Sequence, residues 1–175
     1  SGSVDKTIKL WKTDNETAVS TFEGHTSQVI SVAALDSQTF LSGSVDKTIK
    51  LWKTDNETAV STFEGHTSQV ISVAALDSQT FLSGSVDKTI KLWKTDNETA
   101  LRTFKGHTGY VESVAALDSQ TFLSGSDDKS IKLWKIDNET AVSTFEGHTS
   151  HVMSVIVLNS QTFLSGSGDK TIKSW

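Results

Sequence analysis

The sequence predicts an all-β protein built from repeated antiparallel units, on the evidence of one recurring string and its internal alternation. Residues 1–41 and 42–82 are identical, residues 83–123 and 124–164 repeat the string with six and eight changes, and residues 165–175 begin a further copy. Within a copy, apolar and polar residues alternate with the period of two that a pleated strand requires. A fixed period of this length indicates stacked units that bury their faces against neighbours.

Each unit contains four predicted strands, which are separated by segments rich in Asp, Ser and Asn. In the first copies these strands are residues 29–35, 39–44, 48–52 and 58–63. Short β-branched runs bounded by turn-forming residues favour antiparallel meanders. A helix could form only at residues 57–60, and it would be very short.

Composition argues against several functional classes. The net charge is -5, with acidic and basic residues mixed, so no block of charge invites a nucleic acid or an anionic membrane. There is no cysteine, and no apolar run approaches the ~20 residues that span a bilayer. No signal peptide is evident, so we expect a cytoplasmic protein. Because the chain begins within a unit, we expect a piece of a longer array or a designed array.

Two motifs recur in phase and carry a family resemblance. Each unit has a Gly-His pair, followed about twenty residues later by Ser-Gly-Ser-x-Asp-Lys-[Thr/Ser]-Ile-Lys and then, in the complete copies, Leu-Trp. With these motifs the chain resembles the WD40 family throughout its length. The Asp that usually follows the Trp is replaced by Lys12, Lys53, Lys94 and Lys135. The resemblance implies WD40-type β-propeller blades, each a four-stranded antiparallel sheet, with four blades per chain.

Every unit also contains a Ser, a His and an Asp, the residue types of a hydrolytic triad. An enzyme needs one site rather than four copies, and no Gly-x-Ser-x-Gly nucleophile turn is present. The resemblance instead implies a structural tetrad, in which Asp, His, Ser and Trp are joined by hydrogen bonds and hold the blade together. We therefore expect no catalytic residues, no cofactor and no metal. The predicted tetrads are His25/Ser42/Asp46/Trp52, His66/Ser83/Asp87/Trp93, His107/Ser124/Asp128/Trp134 and His148/Ser165/Asp169/Trp175.

Among the positions that vary between units, the resemblance places three around the mouth of the central channel. That surface is the common partner-binding face of WD40 domains. The leading hypothesis is a non-catalytic protein-interaction scaffold that presents this face to a protein or peptide; neutral drift at exposed positions is the alternative explanation of the variation. The candidate contact residues are Gln28, Ile30, Val45, Gln69, Ile71, Val86, Tyr110, Glu112, Asp127, His151, Met153 and Gly168.

The identity of the first two units favours a second hypothesis, an amplified or engineered array whose main property is self-assembly. WD40 propellers usually have seven or eight blades, so four blades need further partners. Two chains joined head to tail would make an eight-bladed ring, with residues 18–22 of one chain supplying the outer strand that the other lacks. Residues 1–11 and 165–175 are then redundant at each junction. The alternative is a longer chain that carries the remaining blades.

Overall fold

Seventeen β-strands and no helix make up the part of the chain that the computed structural model describes, residues 1–14 and 16–175. A two-stranded N-terminal sheet pairs β1 (Ile8–Leu10) with β2 (Ser20–Phe22). Blade 1 comprises β3 (Val29–Ala34), β4 (Thr39–Ser44), β5 (Ile49–Lys53) and β6 (Asn56–Phe63). Blade 2 comprises β7 (Val70–Ala75), β8 (Thr80–Ser85), β9 (Ile90–Lys94) and β10 (Asn97–Phe104). Blade 3 comprises β11 (Val111–Ala116), β12 (Thr121–Ser126), β13 (Ile131–Lys135) and β14 (Ser143–Phe145). Blade 4 comprises β15 (Val152–Asn159), β16 (Thr162–Ser167) and β17 (Ile172–Ser174).

The all-β prediction of antiparallel four-stranded blades is confirmed, and the strand limits agree closely with those predicted. Every named strand pair is antiparallel, and strands adjacent in sequence are adjacent in each sheet. The suggestion of a helix at residues 57–60 is wrong, because this segment lies in β6. On either side of it β6 pairs with β5, Ile49 with Phe63 and Lys53 with Asn56, and the register shifts across the segment. The connecting turn is therefore shorter than expected.

Apolar clusters lie between blades rather than within one. The first contains Leu41, Ile49 and Phe63 of blade 1 together with Val73 and Phe81 of blade 2. A second cluster of the same kind joins blades 2 and 3, and a third joins blades 3 and 4. Because a single sheet has no other layer to cover its faces, each blade depends on its neighbours for a core.

A glycine on the second strand sets how closely two blades approach. A Cβ atom at Gly43 would lie 2.9 Å from Val70 Cγ1, and one at Gly84 would lie 2.8 Å from Val111 Cγ1. Next to this contact the Ser31 hydroxyl accepts a hydrogen bond from the backbone N–H of Val73, at 3.1 Å. The same hydrogen bond recurs at the next two junctions. The repeated sequence therefore produces one repeated junction.

The two ends of the array are uncovered. At the C-terminal end, Ile172 is 78% exposed, whereas the equivalent Ile131 is fully buried. At the N-terminal end, Val32 is 41% exposed, whereas the equivalent Val73 is 6% exposed. Four blades thus form an open array, and closure into an eight-bladed ring stays a prediction. Across residues 1–14 and 16–175, no helical segment has the length and apolarity to cross a bilayer.

Replacing Gly84 with alanine should destabilise the array. The new methyl group would lie closer than normal van der Waals contact to the Val111 side chain and backbone oxygen. Blades 2 and 3 must therefore separate slightly. We expect a loss of about 1–3 kcal/mol in the free energy of unfolding, measured by urea denaturation. Val60→Ala, at an exposed position on an outer strand, should change it by less than about 0.5 kcal/mol. Equal effects of the two changes would contradict this account of the junction.

Candidate functional site

In blade 2, the predicted tetrad residues form a continuous hydrogen-bonded chain. His66 Nδ1 lies 2.7 Å from Asp87 Oδ2, and His66 Nε2 lies 2.7 Å from Ser83 Oγ. The Trp93 indole N–H donates to the same Ser83 oxygen at 2.8 Å. The structure brings together the residues of the other three predicted sets in the same way. Each set of tetrad hydrogen bonds connects the loop before the first strand of a blade to the turn between its second and third strands.

The tetrad tryptophans are also members of the apolar core, which the sequence reasoning did not include. Trp52, Trp93 and Trp134 are completely buried. Trp93 lies in the cluster that joins blades 1 and 2, and Trp134 lies in the cluster that joins blades 2 and 3. Trp52 packs with Phe22, so it joins blade 1 to the N-terminal sheet. The tetrad bonds join parts of one blade, and these three rings in addition hold neighbouring sheets together.

Local backbone conformation places the ends of the hydrogen-bonded chain. Gly65, which precedes His66, has a φ of +150°, a conformation that L side chains rarely adopt, and the Trp93 ring packs against it. Lys88, which follows Asp87, has a left-handed φ of 69° and closes the turn that holds the carboxylate. The Asp87 carboxylate also accepts hydrogen bonds from the Thr89 N–H and hydroxyl. The Gly-His and Asp-Lys pairs in the sequence are therefore turn determinants.

The tetrad carboxylates are held in the ionised form. Burial raises the pKa of Asp87, but hydrogen bonds from His66 and Thr89 outweigh this effect, and the net pKa lies well below the ordinary value. The pKa of Asp46 is lowered by the same balance. Burial lowers the pKa of His25, even though Asp46 favours its charged form. A neutral His25 can then donate a hydrogen bond from Nδ1 to Asp46 and accept a hydrogen bond from the Ser42 hydroxyl at Nε2.

The connectivity matches that of a catalytic triad, but the environment does not. Ser83 is completely buried, and its oxygen already accepts the Trp93 N–H. Ser42 and Ser124 are also fully buried, and Ser165 is nearly so. A nucleophile must meet its substrate, and these hydroxyls are enclosed by protein. What the arrangement does chemically is satisfy buried polar groups: the described residues contain no buried side-chain N or O atom without a partner.

The twelve variable residues predicted as partner contacts form a second candidate site, which we call the inner rim. The structure places them at the start of the first strand of each blade and on the turn between its second and third strands. Two of the three columns are direct neighbours, because the backbone N–H of Val45 donates to the Gln28 carbonyl oxygen at 3.0 Å. The same bond joins the pairs in the other blades. The inner rim comprises Gln28, Ile30, Val45, Gln69, Ile71, Val86, Tyr110, Glu112, Asp127, His151, Met153 and Gly168.

Two residues of the inner rim, His151 and Asp127, each lie against a glycine that replaces a larger residue of blades 1 and 2. In blade 4 the His151 ring lies where a side chain at Gly168 would begin: a Cβ there would be 2.5 Å from a ring carbon. In blade 3 a Cβ at Gly109 would lie 2.8 Å from the Asp127 Cβ. Blades 1 and 2 have Gln, Val and Ser at the corresponding positions. The changes in blades 3 and 4 are therefore coupled through space.

Blade 3 introduces a pair of acidic side chains into the inner rim. Burial raises the pKa of Glu112, and the negative charge of the neighbouring Asp127 raises it further, whereas the nearby His151 lowers it. In blades 1 and 2 the corresponding residues are uncharged. The charge of the rim thus changes sharply between blade 2 and blade 3.

A second variable patch lies on the outer strand of blade 2, and the sequence reasoning did not select it. Leu101, Arg102 and Lys105 replace the Val, Ser and Glu of the first units. They line a shallow groove that also includes Glu139, and the Arg102 guanidinium donates to the Asp137 carbonyl oxygen at 3.5 Å. The signal that could have identified this patch was the clustering of three of the six changes of that unit.

No group of three or more His, Asp and Glu side chains within residues 1–14 and 16–175 is arranged to hold a metal ion. His151 is the histidine outside the tetrads, and it lies against Gly168 and close to Ser150.

Comparisons with known proteins agree with this geometry. The model of the WD domain, G-beta repeat, matches residues 16–53, 57–94, 98–135 and 139–175, which together make up most of the chain. This chain belongs to the WD40 family. Its fold is similar to that in the crystal structure of the WD40 beta propeller domain of Doa1, with 30% sequence identity and a TM-score of 0.90. The match covers 99% of this chain and 58% of that chain, so the chain spans less than two thirds of its length. No curated protein sequence matches the chain.

WD40 propellers typically act as protein-interaction scaffolds and are generally non-catalytic. The four WD40 repeats here supply the blade framework, and the tetrads lie at equivalent places in each. Membership of the family does not select the face that binds a partner.

Replacing Ser83 with alanine should destabilise blade 2. The change leaves the Trp93 indole N–H and His66 Nε2 without their partner in a buried site. Because each unsatisfied group costs about 1–3 kcal/mol, we expect a loss of about 2–4 kcal/mol in the free energy of unfolding, measured by urea denaturation. Ser78→Ala, in an exposed turn of the same blade, is the matched control and should be almost neutral. A loss at Ser83 no greater than at Ser78 would show that the tetrad hydrogen bonds add no stability.

The stability of the array should fall as the pH falls. The pKa of His25 is lowered from 6.5 in the folded chain. Below that pH the unfolded chain therefore binds a proton more readily than the folded chain, and the free energy of unfolding falls. The pKa values of the tetrad aspartates are lowered from 3.8, so their contribution is present above about pH 4 and is lost below it. Urea midpoints measured from neutral pH to about pH 3 should therefore decline in two stages. Asp87→Asn should be less stable at pH 7 and should show a shallower decline below pH 4; an unchanged slope would exclude Asp87 as a contributor.

Proposed function

We propose that this chain is a non-catalytic protein-interaction module that presents its inner rim to a partner segment carrying Lys or Arg beside an apolar residue. The supporting observation is the matched set of substitutions in blades 3 and 4, in which Gly168 accompanies His151 and Gly109 accompanies Asp127. Changes that fit one another in space favour a shared role over independent drift at exposed positions. The substituted rim therefore behaves as one surface.

The residue types on this surface suit a basic partner. Glu112 and Asp127 provide two carboxyl groups within one blade, and a cationic side chain between them would relieve their mutual repulsion. Tyr110 and Met153 are large, exposed side chains on neighbouring blades. Aromatic residues and methionine are enriched at the centres of protein interfaces. The expected contact is thus a charged group held between two apolar anchors.

Binding rather than catalysis is favoured by the burial of the tetrads. The four serine hydroxyls are enclosed, and each is already bonded to a tryptophan and a histidine. The inner rim contributes exposed side chains without a nucleophile–base pair. The enclosed tetrad hydroxyls therefore favour binding over hydrolysis.

The test is a selection of peptides from a random display library against the folded chain, followed by measurement of Kd for the selected peptides. A reverted rim provides the comparison, because blades 1 and 2 show which residues the same fold accepts at these positions. The six changes are Tyr110→Gln, Glu112→Ile, Asp127→Val, His151→Gln, Met153→Ile and Gly168→Val. We expect the selected peptides to be basic and their Kd to rise at least about tenfold in the reverted chain.

The matched control reverts the outer patch with Leu101→Val, Arg102→Ser and Lys105→Glu. It restores the residues of the first units on the outer surface and leaves the inner rim intact, so Kd should be unaffected. Loss of peptide binding in this control, with binding retained by the reverted rim, would move the site to the outer surface. Selection of acidic peptides would contradict the proposed partner chemistry.

A further inference from the structure

The uncovered C-terminal end of the array carries side chains that are buried at every internal junction. Within the chain, Ala33, Leu35 and Leu41 of blade 1 pack against Val73 and Phe81 of blade 2. Their equivalents in blade 4 are Ile156, Leu158 and Leu164. Together with Gly166 and Ile172, these form what we call the C-terminal end surface. Ile156, Leu158 and Ile172 are exposed, and no atom lies within 4 Å of a Cβ built at Gly166.

The opposite end of the array has the complementary shape. A groove of 270 Å³ lies between the two-stranded sheet and blade 1, and we call it the N-terminal groove. It is lined by Ile8, Leu10, Phe22, Val32 and Phe40, with further residues around its edge. These five are the repeat equivalents of Ile49, Leu51, Phe63, Val73 and Phe81, which pack against Ala33, Leu35 and Leu41 at the first internal junction. The groove therefore lacks the three side chains that the C-terminal end surface exposes.

The strand ladders at the two ends are complementary as well. Blade 4 ends at β17 and has no fourth strand, whereas β2 is a fourth strand in a sheet that lacks a first strand. In blade 3 the third and fourth strands pair Ile131 with Phe145 and Lys132 with Thr144. The same register would pair Ile172 with Phe22, and Lys173 with Thr21, of another copy. An unpaired strand edge is an open template for this addition.

The segment that β17 must replace is β1, which has nearly the same sequence as β17 but no complete tetrad. Residues 1–9 and 165–173 differ only at Val4 and Gly168, and β1 now holds the place beside β2. Trp11 follows β1 and is half exposed, whereas Trp175 follows β17 and belongs to a complete tetrad with His148. Exchange of β1 for β17 keeps the strand pairing and adds the burial of Ile156, Leu158 and Leu164. The balance favours association, because apolar burial is gained and backbone pairing is conserved.

We propose that a second copy of this chain covers both end surfaces, so that two chains join head to tail into a ring of eight blades. Each chain contributes three complete blades, and each of the two junctions makes one more from β15, β16 and β17 of one copy and β2 of the other. One chain matches 58% of the Doa1 propeller chain, so two copies together exceed the length of that chain. The two junctions are equivalent by twofold symmetry.

The first measurement is molar mass by light scattering across a dilution series of the intact chain. We expect a mass of twice 19.0 kDa for the wild type. The side chain at position 172 is exposed in the single chain, so Ile172→Glu should leave the fold intact. In the ring, the same change places a charge inside an apolar junction. It should raise the dimer Kd at least roughly 100-fold. Val60→Glu, which adds the same charge on an outer strand, should leave the mass at the wild-type value.

The second measurement tests the register by disulfide trapping, which is unambiguous because the chain has no cysteine of its own. A chain with Lys173→Cys is mixed with a chain carrying Thr21→Cys and oxidised gently. We expect an intermolecular disulfide between positions 173 and 21. The control mixes the Lys173→Cys chain with a Thr103→Cys chain and should give no such product, because position 103 is already paired with Lys91 inside blade 2.

Several results would overturn the proposal. A wild-type mass of 19.0 kDa at every concentration would mean that a second copy does not cover the ends. A larger polymer would show that the ends join without closing. Equal trapping at positions 21 and 103, or an unchanged mass for Ile172→Glu, would place the contact elsewhere. None of these readouts depends on peptide binding at the inner rim, so the two proposals fail separately.

Discussion

The packing of one blade against the next is the interaction on which the rest of this structure depends. A four-stranded sheet has two faces and no second layer of its own, so its apolar side chains are buried only when another blade covers them. Glycine on the second strand makes the approach close, and the valines of the following blade fill the space. The hydrogen bond that a first-strand serine accepts from a backbone N–H of the next blade fixes the register of this contact. Every other feature is arranged around these junctions.

The tetrads solve a problem that the junctions create. Loops that enter a closely packed blade bring polar groups into a dry region, where an unpaired donor or acceptor is costly. The aspartate, histidine, serine and tryptophan of each blade satisfy one another, and they also fix the turn that carries the inner rim. A rim held by such a framework can change its side chains without loss of the fold. This separation explains how the same tetrad coexists with a neutral rim in blade 2 and an acidic one in blade 3.

The inner rim and the two ends of the array are exposed surfaces of different kinds. On the rim, two neighbouring carboxyl groups lie near exposed side chains, and glycines lie beside His151 and Asp127. At the ends, the missing neighbours are defined residue by residue by the internal junctions of the same chain. The first surface is specific to blades 3 and 4, whereas the second belongs to the repeat itself. The proposed partner binding and the proposed self-association therefore draw on separate features of one array.

The sequence by itself determined the four-stranded unit, its repetition and the residues of each tetrad, because these depend on local alternation, turn chemistry and fixed spacing. It also indicated the variable positions, though it passed over the outer-strand patch of blade 2. Only the tertiary structure decided the extent of the outer strand, because β6 covers residues 56–63 whereas the same eight residues in blade 3 form a strand only at Ser143–Phe145. It also placed Trp52 and Trp134 in the core between sheets, and it left Ile172 and Val32 uncovered while their copies are buried. Identical residues have different environments because internal copies are covered by a neighbouring blade and end copies are not. The local sequence of one repeat does not indicate which of these applies.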